Sequence, residues 1–204
     1  MAISWWCWVP ITGRSLARID LRGSGRAYLV LLRWQYGAAM LRNYERRTMN
    51  ITVVCVGKLK EKYWVDACNE YLKRLKPYAQ VAVKEIPDVD PAKAGGIAGS
   101  LEREGAAIVA ALPDRAHVLL LAIKGKQRTS EEFSARLDNL ALQGKSDVAF
   151  VIGGSDGVND AVRACASETL SFGAITLPHN LARVVLLEQI YRAFKISRGE
   201  PYHK

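Results

Sequence analysis

The chain has 204 residues and a mass of 22.6 kDa, enough for one domain or one domain with an arm. Half of its residues are hydrophobic and 24% are charged, which excludes a wholly disordered or collagen-like chain, and no apolar run approaches the roughly 18 residues of a spanning helix. The net charge of +9 is unevenly placed: residues 1–48 carry eight arginines against only Asp20 and Glu45, and four of the five tryptophans. The remainder is mildly basic, which permits a phosphate-rich partner without demanding one.

Residues 1–48 read poorly as a folded unit. Gly13, Gly23 and Gly25 interrupt the apolar pattern, and only about 27–42 could be helical. The segment could be an organelle transit peptide, an RNA-binding arm, or translated sequence upstream of a functional start at Met49. The last is favoured, because a complete fold opens directly after Met49. The segment is expected to be an extension outside the functional domain, 49–204.

Ile51 to Val56 is a buried strand ending at Gly57, and Glu61 to Leu75 a helix with Val65, Cys68, Leu72 and Leu75 on one face. Val81 to Ile86 is a second strand, followed by a Pro- and Gly-containing loop to Gly96. Ile97 to Leu112 is a helix with Ile97, Leu101, Ile108 and Leu112 on one side. Val118 to Ile123 is the most continuous apolar strand, as expected of a central parallel strand. Thr129 and Glu132 have capping-box spacing before a helix with Phe133, Leu137 and Leu140 on one face. Val148 to Ile152 is a buried strand running into Gly153-Gly154-Ser155-Asp156-Gly157. A short helix over about 158–166, a weak strand near Leu170 and a brief apolar step at Ile175 to Leu177 follow. The last helix spans about 180–196. Strand and helix alternate, which predicts an α/β domain with a largely parallel sheet. Leu181, Val184, Val185, Leu186, Leu187 and Ile190 exceed one helical stripe, so this helix is either deeply buried or covered by a second copy of the chain.

In such sheets ligands bind beyond the carboxyl ends of the strands. Lys124 to Lys126, the Gly153 to Gly157 loop and Ile175 to Asn180 stand there. The glycine loop could admit a ligand to its backbone or simply reverse the chain. No Walker-type phosphate loop, dinucleotide fingerprint or nucleophile elbow is present. His117, His179 and His203 lack metal-ligand spacing, so no metal is expected. Cys7, Cys55, Cys68 and Cys165 form no C-x-x-C pair and are expected to be free buried thiols in a reducing compartment. His117 is expected to be structural, and His179 local, beside an Asn180 N-cap. Arg183 is either a solvated cation or, being unfavourably placed near the positive end of a helix dipole, the holder of an anionic partner. Tyr202 could stack on a base or anchor the tail, and His203 lies in a tail that looks frayed.

Four stretches together resemble one family. They are Met49 to Trp64, Phe150 to Gly157, Leu170 to His179, and Arg183 to Ile196 with the ending Arg198-Gly-Glu-Pro-Tyr-His-Lys. They are similar to the knotted SPOUT-class RNA methyltransferases, and within these to the bacterial 23S rRNA (pseudouridine-1915-N3)-methyltransferases, the RlmH family. The resemblance covers 49–204 and has no counterpart for 1–48. It implies a parallel-sheet SPOUT fold with a C-terminal trefoil knot, S-adenosylmethionine as cofactor, and a cytoplasmic homodimer with sites at its interface. By motif position it implies Leu121, Gly153 and the run Phe172, Gly173, Ala174, Ile175, Thr176 and Leu177 as cofactor contacts. The implied substrate is 23S rRNA in the assembled 70S ribosome, with Lys58, Lys60, Lys62, Lys124 and Lys126 as candidate phosphate contacts or merely solubilising charges. His179, Arg183, Tyr202 and His203 are the candidates for handling the substrate proton or the developing anion. A tRNA-modifying relative of the same fold, a non-enzymatic ribosome-binding module and a general nucleotide-binding protein are the rival readings.

Overall fold

The computed structural model describes the backbone of residues 6–12 and 15–20 and, with side chains, residues 48–202. The chain divides into two compact units, Met1–Arg47 with Lys195–Lys204, and Thr48–Phe194. In the first, β1 (Trp6–Thr12) and β2 (Ser15–Asp20) pair as an antiparallel hairpin, with Val9 opposite Ala17. No strand was predicted there. The aromatic and β-branched content of Trp6 to Thr12 favours an extended chain, but the glycines that follow at 13, 23 and 25 obscured it. The helix expected over 27–42 lies outside the described residues.

The second unit follows the predicted alternation. Its elements are β3 (Met49–Val56), α1 (Lys62–Leu75), β4 (Ala79–Ile86), α2 (Pro91–Ala94), α3 (Ile97–Ala111), β5 (His117–Gln127), α4 (Ser130–Leu142), β6 (Asp147–Ile152), α5 (Asp160–Cys165), β7 (Glu168–Ser171) and α6 (His179–Ser197). The five strands of this unit form one parallel sheet in the order β4-β3-β6-β5-β7. A parallel sheet needs crossover connections, and helices cover both faces. Hence β3 and β6, at its centre, are apolar on both sides: Val53, Val54, Cys55, Ala149, Phe150 and Val151 are fully buried. One face packs Val54, Leu120 and Val151 with Ile108 of α3 and Val162 of α5. On the other face the ring of Phe133 in α4 meets that of Phe150 at 6.1 Å, edge to face. Ser134 Oγ then donates to the Ala193 carbonyl at 2.7 Å, and Tyr78 stacks on Phe194 at 5.9 Å, so α6 closes this layer.

Three local expectations change. Pro87 to Gly96 is not a plain loop, because Asp90 caps the short α2 by accepting from the Ala92 N–H at 3.0 Å. The buried face of α3 is Ser100, Glu104, Gly105 and Ile108, while Ile97 is 55% exposed. Small and polar side chains there allow close packing on neighbouring loops, which a hydrophobic pattern cannot register. The strand expected over Val118 to Ile123 runs from His117 to Gln127, while the apolar step at Ile175 to Leu177 is part of no helix or strand, with Ile175 64% exposed. The capping box is formed in both directions, Glu132 N–H to Thr129 Oγ1 at 3.1 Å and Thr129 N–H to Glu132 Oε2 at 3.0 Å.

At the sheet edge Leu170 is paired with both Leu121 and Lys126. The 122–125 segment therefore leaves the ladder and rejoins it beside the same residue of β7. Its backbone passes so close that a Cβ on Gly125 would lie 2.7 Å from the Leu170 carbonyl carbon. Ser171 Oγ also donates to the Ile123 carbonyl at 2.9 Å. The result is a wide bulge of β5 held against its parallel neighbour β7, and the knot that the resemblance implies is compatible with this topology.

His117 is structural, as expected. Its Nε2 lies 2.8 Å from Glu168 Oε1, which also accepts from Arg136 Nε at 2.9 Å, while Arg128 Nη2 donates to Glu168 Oε2 at 2.7 Å. Burial works against ionisation of Glu168, yet these donors together hold its carboxyl below the ordinary glutamate range. Glu168→Gln is expected to lower the unfolding free energy at neutral pH by about 1–3 kcal/mol. A depressed carboxyl contributes stability above its unfolded-state pKa and loses it as pH falls through the folded-state value. The gap between wild type and variant should therefore close in acid, which urea unfolding at neutral and acid pH checks. Thr129→Ala should cost about 1 kcal/mol in the same assay at neutral pH.

Candidate active site

The rim of the sheet is built where β3, β4, β5, β6 and β7 end. Gly57 leaves β3 at φ 86°, in the left-handed region that favours glycine. A side chain would not fit there, since a Cβ would lie 2.9 Å from His179 Nε2. The Gly57 carbonyl accepts from Arg183 Nη2 at 2.8 Å, and Arg183 Nη1 donates to Glu85 Oε1 at 2.6 Å. The Leu59 N–H donates to the same Glu85 oxygen at 3.2 Å. Arg183 is 1% exposed. One buried cation thus joins the exits of β3 and β4 to the first turns of α6.

This placement corrects the reading of Arg183 as a solvated cation. Its anionic partner lies within the chain, and its charge is already committed to Glu85. Of the three guanidinium nitrogens of Arg183, Nε is left without a partner. The cap expected at Asn180 is also corrected. The helix begins at His179, and the Ala182 N–H bonds the Pro178 carbonyl at 2.9 Å, so Asn180 is inside the first turn with its Oδ1 buried and unpartnered. Proline, whose fixed φ suits a helix start, moves the boundary upstream.

Two thiols lie near this cation. Burial pushes the Cys55 thiol up to about 12, with Arg183 opposing and Glu85 adding to the shift. Burial raises Cys68 as well. Neither is a nucleophile at neutral pH. Cys165 is exposed, against expectation, and Cys7 lies outside the residues whose side chains are described.

The Gly153 to Gly157 turn is closed on itself. The Gly157 N–H donates to the Gly154 carbonyl at 3.1 Å, and a Cβ on Gly153 would lie 2.7 Å from the Gly157 oxygen. From outside, Gly154 is wedged between Val56 and Glu104, each 3.2 Å from where its Cβ would be.

Beside the β5–β7 edge opens a cleft of about 360 Å³. Phe133, Leu170, Phe172 and Val185 give it apolar walls, and Ser130, Gln189 and Arg128 give it polar groups. Ser130 Oγ and Gln189 Oε1 are bonded at 2.9 Å across it. Arg128 is oriented by Glu168, and its Nε is buried and unpartnered. Apolar walls with a few placed polar groups suit a small molecule having a flat ring at one end and charge at the other.

The structure brings some of the expected residues together. Phe172 and Gly173 line the cleft; Ala174, Ile175 and Thr176 continue from it as an exposed strip to half-buried Leu177. Leu121 pairs with the cleft residue Leu170. Gly153 stays within its own turn and does not line the cleft. His179 and Arg183 meet at Gly57. Tyr202 is half-buried and belongs to the other compact unit, and His203 lies outside the described residues. Lys58, Lys60 and Lys124 are exposed. Sequence reasoning missed Glu85, Glu104 and Arg128. Glu85 stands 98 residues from its partner, so no local pattern could reveal it. Glu104 had one signal, a carboxylate followed by glycine in a helix interior, where glycine is unfavourable unless something packs on it.

A family model described as Predicted SPOUT methyltransferase matches residues 49–203. A ribosomal RNA large subunit methyltransferase H of Listeria monocytogenes is 56% identical over 162 residues, covering 76% of this chain and all of the relative. The protein of the same name from Bacillus thuringiensis is 54% identical over 159 residues, with the same coverage. Among solved structures, the SpoU methyltransferase AviRb of Streptomyces viridochromogenes in complex with AdoMet aligns with a TM-score of 0.39 at 14% identity, over 74% of this chain and 60% of that one. With its parallel sheet, its glycine-bearing rim and a match that spans the whole of its second unit, the chain belongs to the SPOUT methyltransferase family.

Proposed function

We propose that this chain methylates N3 of pseudouridine 1915 in 23S rRNA, acting on the assembled 70S ribosome as a cytoplasmic homodimer with S-adenosylmethionine as donor. The observation that carries the reading is the rim itself: a cleft of about 360 Å³ at the β5–β7 edge, beside the strip 172–177 that family resemblance assigns to the cofactor. The activity resides in 49–204, and residues 1–48 are outside it.

The residues fit the donor. Phe172, Leu170 and Val185 would flank its purine, backbone groups of 173–177 would read the purine edge, and Arg128 would suit its carboxylate. The resemblance adds Leu121, which pairs with Leu170 beside the cleft, and Gly153, whose turn stands outside the cleft at the end of β6. The bound donor supplies an activated methyl group on a sulfonium sulfur. The chain must hold the base in line with that methyl, which is a task of position. It must also take the N3 proton. A neutral imidazole can accept a proton, so His179 on the rim and His203 in the tail are the base candidates, with Tyr202 next to His203 in sequence. Arg183, with its charge spent on Glu85, serves as a positioning residue through Gly57 and His179. Exposed Ile123 and Ile175, 54% and 64% accessible, are the surface that a second copy of the chain would cover. Among the described residues no helix is long and apolar enough to cross a membrane.

Methyl transfer from labelled S-adenosylmethionine to 70S ribosomes lacking the modification is expected, with mass mapping placing the label at position 1915. Equal rates on naked 23S rRNA would contradict the ribosome requirement. Label on tRNA alone would favour the tRNA-modifying alternative. His203→Ala and His179→Ala separate the two bases: the true one should lower kcat by about 10²–10⁴ with donor affinity unchanged.

A further inference from the structure

Glu104 lies in α3 and is 6% exposed. Its Oε1 accepts from the Val89 N–H at 2.9 Å. Its Oε2 faces Gly154, at 3.2 Å from the place of a Cβ there. The next residue, Gly105, lacks a side chain because Asn159, the N-cap of α5, fills that space; a Cβ on Gly105 would lie 2.4 Å from the Asn159 amide. The 104–105 face of α3 therefore touches both the connector after β4 and the turn that follows β6.

We propose that Glu104 is a positioning residue for the methyl-donor site, one carboxyl oxygen fixing the connector at Val89 and the other bracing the Gly153 to Gly157 turn at Gly154. This rests on the assignment of Gly153 to the donor site. Burial raises the carboxyl above the ordinary glutamate range; the Val89 N–H opposes this, and Asp88 and Asp156 reinforce it. Asp88 stands on the connector and Asp156 within the turn, both exposed. A neutral Glu104 can stay in contact with these carboxylates. An ionised one is repelled by both, and the turn is pushed away from its brace. The raised carboxyl works in its protonated form, so bracing is present in acid and lost as pH rises through the folded-state value.

The test is S-adenosylmethionine binding by calorimetry on the full chain, from about pH 5 to about pH 9. Wild-type affinity is expected to fall with rising pH, by at most about tenfold per pH unit. Glu104→Gln, which keeps the shape and the acceptor but never ionises, should hold the acid-side affinity throughout. Glu104→Ala, which lacks the brace, should bind about tenfold more weakly than Glu104→Gln at every pH. Hydrogen exchange of the Gly157 N–H, without donor, gives a second readout: after correction for intrinsic rates, protection should fall with pH in wild type and stay constant in Glu104→Gln. A Glu104→Gln variant that follows the wild-type curve in both readouts overturns the proposal, whether or not Glu104→Ala folds. Wild type that binds no donor at any pH overturns the functional reading instead, and the exchange data still decide whether Glu104 braces the turn.

Discussion

The guanidinium of Arg183 is the point on which the rim depends. Taking a cation out of water costs several kcal/mol unless its hydrogen-bonding capacity is met. Here the Gly57 carbonyl and Glu85 meet most of it, at 2.8 and 2.6 Å. Those two groups belong to the exits of adjacent strands, and the arginine to the helix that closes the fold. The result is a fixed triangle in which Gly57 has no Cβ to displace the His179 ring. Removing any corner leaves a buried charge or frees the strand exits, so the local geometry is held cooperatively.

The rest of the rim is set by the same logic of close backbone approach. Gly125 lets the bulge of β5 lie against Leu170 of β7, and Gly154 lets the turn after β6 settle between Val56 and Glu104. In each case the missing side chain is replaced by protein rather than by open space. The cleft that remains lies beside Phe172, between the β5–β7 edge and α6. Glu168 extends this constraint outward by aligning Arg128 at the cleft wall.

Much of the fold was legible because parallel sheets write themselves as apolar runs. Ile51 to Val56, Val118 to Leu120 and Val148 to Ile152 are buried on both faces and needed no alternation to be found. The cap at Thr129 was legible because its two partners are three residues apart. What stayed hidden is contact between distant residues. Arg183 was noticed for its awkward place near a helix start, yet Glu85 lies on a half-exposed strand with nothing in its own neighbourhood to mark it. The buried face of α3 was misjudged because Ser100, Glu104 and Gly105 are chosen for fit to loops. The assignment of 172–177 to the cofactor comes from resemblance alone; its composition would pass for an ordinary connector.

The most direct test of the account is a double-mutant cycle on Arg183→Met and Glu85→Gln, read by urea unfolding of the two single variants and the double variant. A fixed triangle predicts a coupling energy of about 1–3 kcal/mol between the two positions. Additive effects, within about 0.5 kcal/mol, would show that the ion pair does not hold the rim together.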